Sequence, residues 1–186
     1  MAQAQVRTGF KQLEGEWEVD PAHSNVGFAV KHMVFTTVRG GFKDFSATFR
    51  IEPGGAGHVE ATISAASINT NHSDRDAHLR SPDFLDAERY PHIEFRSTDP
   101  EMLSENTARL TGELTIRGVT RPATLEVTFN GFLPKDAFGS PRASFSLHGT
   151  INRKDFGLTW NRSLETGGVL VGEEITFEIE VAAVRK

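Results

Sequence analysis

Apolar and polar residues alternate along most of the chain with a period of two, which is typical of β-strands that bury one face and expose the other. The pattern is clearest from Ala108 to Ile116, where small or aliphatic residues alternate with threonines and charged residues. Similar alternation predicts eight strands, around residues 24–34, 45–51, 59–63, 93–95, 108–116, 123–129, 143–151 and 175–181. Turns predicted at Gly40 and Gly41 and at residues 53–57 separate some of them. The chain is therefore predicted to be all-β, built from antiparallel hairpins.

Eight antiparallel strands are enough to close a sheet into a barrel, whose interior either fills with side chains or holds one small ligand. Closure also removes exposed sheet edges. The 186 residues suit one domain, and the sequence contains no linker or low-complexity segment. We expect residues 16–186 to form this single barrel domain and residues 1–15 to precede it as an N-terminal extension.

The segment His72 to Phe95 interrupts the strand pattern with histidines, carboxylates and arginines. Ser73 and Asp76 have the spacing of a capping box, which predicts a short helix between strands. Such a helix is too short to be stable alone, so we expect it to cover or brace one end of the sheet.

A metal site is the alternative interpretation of the same segment. Its ligand types suit zinc or another divalent ion, but their spacing places them poorly for joint coordination on a helix. On this hypothesis the protein would be a metal-dependent enzyme or an electron-transfer accessory that uses residues 72–92. The candidate ligands are His72, Asp74, Asp76, His78 and His92.

Composition excludes several function classes. A hydrophobic content of 38%, with 24% charged residues and a formal net charge of -5, is typical of a folded domain and argues against a nucleic-acid partner. The absence of cysteine excludes disulfides, thiolate metal sites and cysteine nucleophiles. No apolar run approaches the roughly 20 residues of a transmembrane helix, and the opening residues lack the apolar core of a secretory signal, so we expect a cytoplasmic protein. The usual catalytic motifs are also missing, so we predict neither an enzyme nor a resident cofactor.

The fourteen phenylalanines are the most informative part of the composition. Most of them fall on the inward-facing positions of predicted strands, where a packed core is the simplest explanation. Small residues such as Ala47, Ala61 and Ala123 share those positions. A barrel lined in this way has room for an elongated apolar guest.

Several ordered motifs resemble those of the YceI-like family, the lipocalin-like polyisoprenoid-binding proteins, over nearly the whole chain from Trp17. They are "DPAHSNVGFAVKHM" from Asp20, "GGFKDFSATF" from Gly40, "RDAHLRSPDFLDAERYPHIEF" from Arg75, "GELTIRGVTRP" from Gly112, "INRKDFGL" from Ile151, and the closing "VGEEITFEIEVAA". The resemblance implies a lipocalin-like antiparallel barrel that holds a long isoprenoid or similar amphiphile without catalysis. It makes a homodimer plausible, and the segment around Trp160 either forms its interface or closes one barrel end.

Register and resemblance together predict the residues that bind such a ligand, which would be a polyisoprenoid, an isoprenoid quinone or a similar lipid. The candidate apolar lining is Phe28, Val30, Phe45, Phe49, Phe95, Leu114, Leu125, Val127, Phe129, Phe145, Leu147 and Phe177. The candidate partners of its polar end are His32, Arg75, His78 and Arg80.

Overall fold

The computed structural model describes residues 9–186, which contain twelve β-strands and one α-helix. The helix, α1, spans Ser73–Arg80. The strands are β1 (Gly15–Val19), β2 (Asn25–His32), β3 (Thr36–Phe42), β4 (Phe45–Ile51), β5 (Gly57–Ser64), β6 (Ile68–Asn69), β7 (His92–Ser97), β8 (Glu101–Met102), β9 (Thr107–Ile116), β10 (Val119–Leu133), β11 (Arg142–Asn152) and β12 (Val171–Arg185).

Eight of the strands close into an antiparallel barrel in the order β1-β4-β5-β7-β9-β10-β11-β12. The ring closes through Trp17 of β1, which lies opposite Phe49 on β4 and opposite Arg185 on β12. This closed barrel with one helix confirms the predicted fold. β12 is long enough to pair with β1 near its C-terminal end and with β2 along the rest of its length. β2 continues the wall into β3 and the short β6.

The turn predicted at Gly40 and Gly41 is wrong, because both glycines lie inside β3. A Cβ atom on Gly40 would lie 2.7 Å from the ring of Phe28 and from the methyl group of Thr70. The glycine therefore serves close packing within the barrel wall and not chain reversal.

A β-bulge in β10 changes which residues point into the barrel. The register with β11 shifts between Phe129 and Gly131. Phe129 is buried, and beyond the bulge Phe132 makes an edge-to-face contact with Trp17. The extra residue moves the inward positions from odd to even numbers, which simple alternation does not predict.

One end of the barrel, called the Trp17 end below, is filled by the residues around Trp17. Trp17 and Leu13 are fully buried, and the indole Nε1 of Trp17 donates a hydrogen bond to the Leu13 carbonyl at 2.8 Å. Phe10 packs against Phe129 and Phe145. Phe10 and Leu13 of the predicted extension thus join the core, whereas residues 1–8 lie outside the described part of the chain.

The other end, called the α1 end, carries α1 and the segment between β11 and β12. His72 caps α1 by accepting the backbone N–H of Arg75 at its Nδ1, 3.2 Å away. The predicted capping box is wrong in detail, because Asp76 turns inward to accept the backbone N–H of Thr70 at 2.8 Å. Within residues 9–186, no helix is long and apolar enough to cross a membrane.

Candidate functional site

A hollow of about 640 Å³ occupies the barrel between the Trp17 end and the α1 end. Its walls are the inward-facing side chains of the strands, and they are almost entirely apolar. Inward residues on β4, β5 and β12, such as Ala47, Ala61 and Phe177, are only half-buried. Those on β9 and β10, such as Leu114 and Leu125, are buried. The hollow therefore lies closer to the wall formed by β12, β4 and β5.

The structure brings most of the predicted ligand-binding residues together around this hollow. Those on β4, β9, β10 and β12 alternate with outward-facing polar neighbours, so the period of two is what directs them inward. The predicted residues that border the hollow are Phe28, Val30, His32, Phe45, Phe49, Arg75, His78, Phe95, Leu114, Leu125, Val127, Phe145, Leu147 and Phe177.

Phe129 and Arg80 lie elsewhere. The ring centroid of Phe129 is 5.7 Å from those of Phe10 and Phe145, inside the packing of the Trp17 end. Phe129 is separated from the hollow because the N-terminal segment, which strand alternation does not reveal, fills the barrel beside it. Arg80 donates from Nη1 to the carbonyl oxygen of Ala66 at 3.3 Å, so it ties α1 to the turn between β5 and β6.

Three aromatic rings stand together where the hollow meets α1. The His78 ring lies edge-to-face on Trp160, with centroids 4.7 Å apart, and Phe84 is 5.3 Å from Trp160. His78 Nε2 is also 2.8 Å from the Asp83 carboxylate, which fixes the ring orientation. The segment around Trp160 therefore borders the cavity at this end of the barrel.

Arg153 is a buried cation at the same end, only 2% exposed. Its guanidinium donates to four backbone carbonyls, those of Leu158 (2.6 Å), Gly172 (2.8 Å), Trp160 (2.9 Å) and Val171 (3.3 Å). Burial lowers the pKa of the guanidinium below its ordinary value. Because one side chain holds carbonyls on both sides of the 159–170 loop, Arg153 fixes that loop beside the cavity. The position of this arginine in "INRKDFGL", just after a strand, was the available signal, and no role was predicted for it.

A hydrogen-bonded cluster attaches α1 to the barrel. Asp76 is 5% exposed and accepts hydrogen bonds from both the backbone N–H and the hydroxyl of Thr70. Arg75 donates from Nε to the Thr70 hydroxyl and from Nη2 to the Thr70 carbonyl, both at 2.7 Å. The stem of Arg75 is therefore held at the rim of the hollow.

The candidate metal ligands do not gather at one point. His72 caps α1, Asp76 accepts hydrogen bonds from Thr70, and His78 forms a hydrogen bond with Asp83. Among residues 9–186, no three His, Asp or Glu side chains lie close enough to hold a metal ion. His72, Asp76 and His78 thus each have a different partner, and these contacts help to position α1.

Comparison with known proteins places this barrel among its relatives. The model of the YceI-like domain matches residues 17–183. A UPF0312 protein of Staphylococcus aureus is 37% identical over 161 residues, which cover 86% of this chain and 91% of the relative. Among solved structures, the Campylobacter jejuni YCEI protein superposes with a TM-score of 0.71 at 36% identity, over 90% of this chain and 96% of that one.

A more distant structure shares the fold. A polyisoprenoid binding domain from Saccharophagus degradans superposes with a TM-score of 0.71 at 14% identity, over 91% of this chain and 98% of that one. The family model covers most of the chain, and the relatives of higher identity cover it to a similar extent. The chain therefore belongs to the YceI-like domain family.

Proposed function

We propose that the protein binds a long apolar amphiphile, a polyisoprenoid, an isoprenoid quinone or a similar lipid, and carries or stores it without chemical change. The observation that carries this proposal is the hollow of about 640 Å³, whose walls are almost entirely apolar and which His32, Arg75 and His78 border at the α1 end. A ligand with a long hydrocarbon part and a small polar part matches that distribution.

The energetics favour a long chain. Each methylene group gains about 0.8 kcal/mol on leaving water, so a five-carbon isoprene unit gains roughly 4 kcal/mol. Immobilising a ligand costs an estimated 4–15 kcal/mol. Burial of a few isoprene units therefore offsets this cost, and no reactive group is required.

The polar part of the ligand would lie at the α1 end. His32 and Arg75 border the hollow there, and His78 stands next to Trp160. These groups donate hydrogen bonds or carry positive charge, so they suit an oxygen-rich headgroup. The polyisoprenoid binding domain that shares this fold supports a ligand of this class. A homodimer remains a prediction from the family resemblance.

Native mass spectrometry before and after organic extraction tests the proposal. The purified protein should carry a long apolar molecule that extraction removes. Ala61→Phe places a ring inside the hollow and should lower the retained lipid at least about tenfold, because the ring displaces buried methylene groups.

Thr62→Phe is the matched control, because Thr62 is the next residue of β5 and points outward. It should retain lipid as the wild type does. A wild-type protein without an apolar ligand, or an Ala61→Phe variant that retains it fully, would contradict the proposal.

A further inference from the structure

Four apolar side chains form an exposed tip at the α1 end, called the apolar tip below. Met33, Val34 and Phe35 in the β2–β3 turn are 49%, 51% and 87% exposed, and the neighbouring Val169 is 39% exposed. Single exposed apolar residues are common on proteins, but contiguous ones mark interaction sites. We infer that the apolar tip docks the protein on the surface of a lipid bilayer, next to the rim of the cavity.

The backbone holds the tip in a conformation that its residues disfavour. Met33 and Val34 have φ angles of 48° and 69°, in the left-handed region. For a β-branched residue such as valine this conformation is a genuine outlier, and glycine or asparagine would suit the turn better. Turn formation therefore does not explain why apolar side chains occupy these positions. A function as an outward-facing apolar surface explains their presence.

Main-chain hydrogen bonds keep the tip rigid and join it to the neighbouring loop. The Met33 N–H donates to the Leu170 carbonyl at 2.8 Å, and the Phe35 N–H donates to the Met33 carbonyl at 2.8 Å. Val34 lies so close to Gly168 that a Cβ there would be 3.1 Å from the valine methyl group. The β2–β3 turn and the loop before β12 thus present one continuous apolar surface.

The apolar tip is continuous with the cavity rim. Lys31 and His32, immediately before the tip, border the hollow, and so do Leu170 and Val171, immediately after Val169. Lys31, which is exposed to solvent, thus both borders the hollow and adjoins the tip. This inference rests on the proposed function. If the cavity holds a lipid, the lipid can pass between the cavity and the bilayer with little exposure to water.

A bilayer suits the tip better than a second protein copy. A standard protein interface uses about 20–30 residues on each side, whereas four side chains on a projecting turn provide far fewer contacts. Arg162 and Glu165, of opposite charge, are both exposed in the neighbouring loop. The formal net charge of the chain is -5, so attraction to anionic lipid is not the driving force. Insertion of apolar side chains into the interfacial layer is therefore the expected mode of binding.

Sedimentation of the full chain with vesicles of phosphatidylcholine alone tests the inference. Phe35→Ser should lower the vesicle partition coefficient at least about tenfold, because the transfer of one phenylalanine contributes that much to partitioning. Phe138→Ser is the matched control. Phe138 is 88% exposed, as Phe35 is, but it lies between β10 and β11 at the Trp17 end. It should leave vesicle binding unchanged.

Other outcomes would overturn the docking surface. They are a wild-type protein that does not sediment with vesicles, equal losses in both variants, or a wild-type dimer that Phe35→Ser converts to a monomer with no change in vesicle binding. Native mass spectrometry of the same samples separates this inference from the proposed function. Protein that lacks lipid but sediments through Phe35 would support the tip and contradict lipid carriage. Protein that carries lipid but sediments independently of Phe35 would support lipid carriage and contradict the docking role of the apolar tip.

Discussion

At both ends of the barrel the strands direct alternate apolar residues inward, but the packing of the two ends differs. At the Trp17 end, Trp17 stacks on Phe49 with centroids 5.8 Å apart, and Leu13 and Phe10 fill the remaining space. At the α1 end, Trp160 is only half-buried and borders the hollow. Packing is completed at the Trp17 end by a segment outside the strands. At the α1 end, Leu85, Phe156 and Leu158 also pack against the strands from outside them, but the hollow remains beside this cluster.

The difference teaches that stability and binding are concentrated at different ends. The side chains of the Trp17 end have protein neighbours on all sides, so removing one leaves a cavity. At the α1 end, Trp160 and His78 already border the hollow, and the backbone around them is held by hydrogen bonds that Arg153 donates to Leu158 and that Asp76 accepts from Thr70. Variants at the two ends should therefore separate the two properties.

The largest effect is expected from the two tryptophans. Trp17→Ala should lower the free energy of unfolding by about 3–5 kcal/mol, because it removes a fully buried ring. Trp160→Ala should lower it by less than about 1.5 kcal/mol and should instead reduce lipid retention. Urea unfolding and native mass spectrometry measure the two quantities. Equal stability losses would contradict the comparison.

The next effect concerns the buried cation. Arg153→Met leaves four backbone carbonyls without their donor, which should cost about 1–3 kcal/mol and loosen the 159–170 loop. Hydrogen exchange should rise in that loop and stay unchanged in β1 at the Trp17 end. Hydrogen exchange in the loop that is as slow in the variant as in the wild type would show that Arg153 does not position the loop.

Acid should weaken the Trp17 end through Arg142. The Arg142 guanidinium lowers the pKa of both Asp20 and Asp136 from 3.8 to about 2. A hydrogen bond with His23 also lowers the pKa of Asp20. A lowered folded-state pKa stabilises the protein above pH 3.8, and this contribution is lost as the pH falls through about 2.

Arg142→Met should therefore lower the melting temperature at neutral pH, and the difference from the wild type should shrink as the pH falls to about 2. Lys154→Met is the control at the α1 end. It removes the exposed ion pair with Glu173, which should contribute little. A wild-type advantage over Arg142→Met that is independent of pH would argue against the carboxylate linkage.

The smallest effect is a gain. Val34→Gly should raise the free energy of unfolding by about 1 kcal/mol, because glycine adopts the positive φ of this position without strain. The same change should weaken vesicle binding, since it removes one side chain of the apolar tip. A variant less stable than the wild type would show that Val34 makes packing contacts that outweigh the strain.

The sequence predicted the strands best where alternation is regular. The strand predicted at residues 108–116 is β9, Thr107–Ile116, and the one at 143–151 is β11, Arg142–Asn152. β10 and β12 extend well beyond their predicted bounds, because pairing with neighbours continues past the regular pattern, in β10 through a bulge. β1 was not predicted, and β3 was obscured because two of its glycines resemble a turn.

The inward direction of Phe28, Leu125 and Phe177 follows from the sequence alone, because alternation is a property of neighbouring residues and needs no knowledge of the rest of the chain. Whether those side chains meet each other or border a hollow was decided by the tertiary structure. It depends on the summed volumes of side chains from eight strands and on where residues 10–13 and the 159–170 loop pack, which are contacts between residues far apart in the sequence. Local pattern thus determined the barrel wall, and long-range packing determined that the Trp17 end is filled while a hollow remains between it and the α1 end.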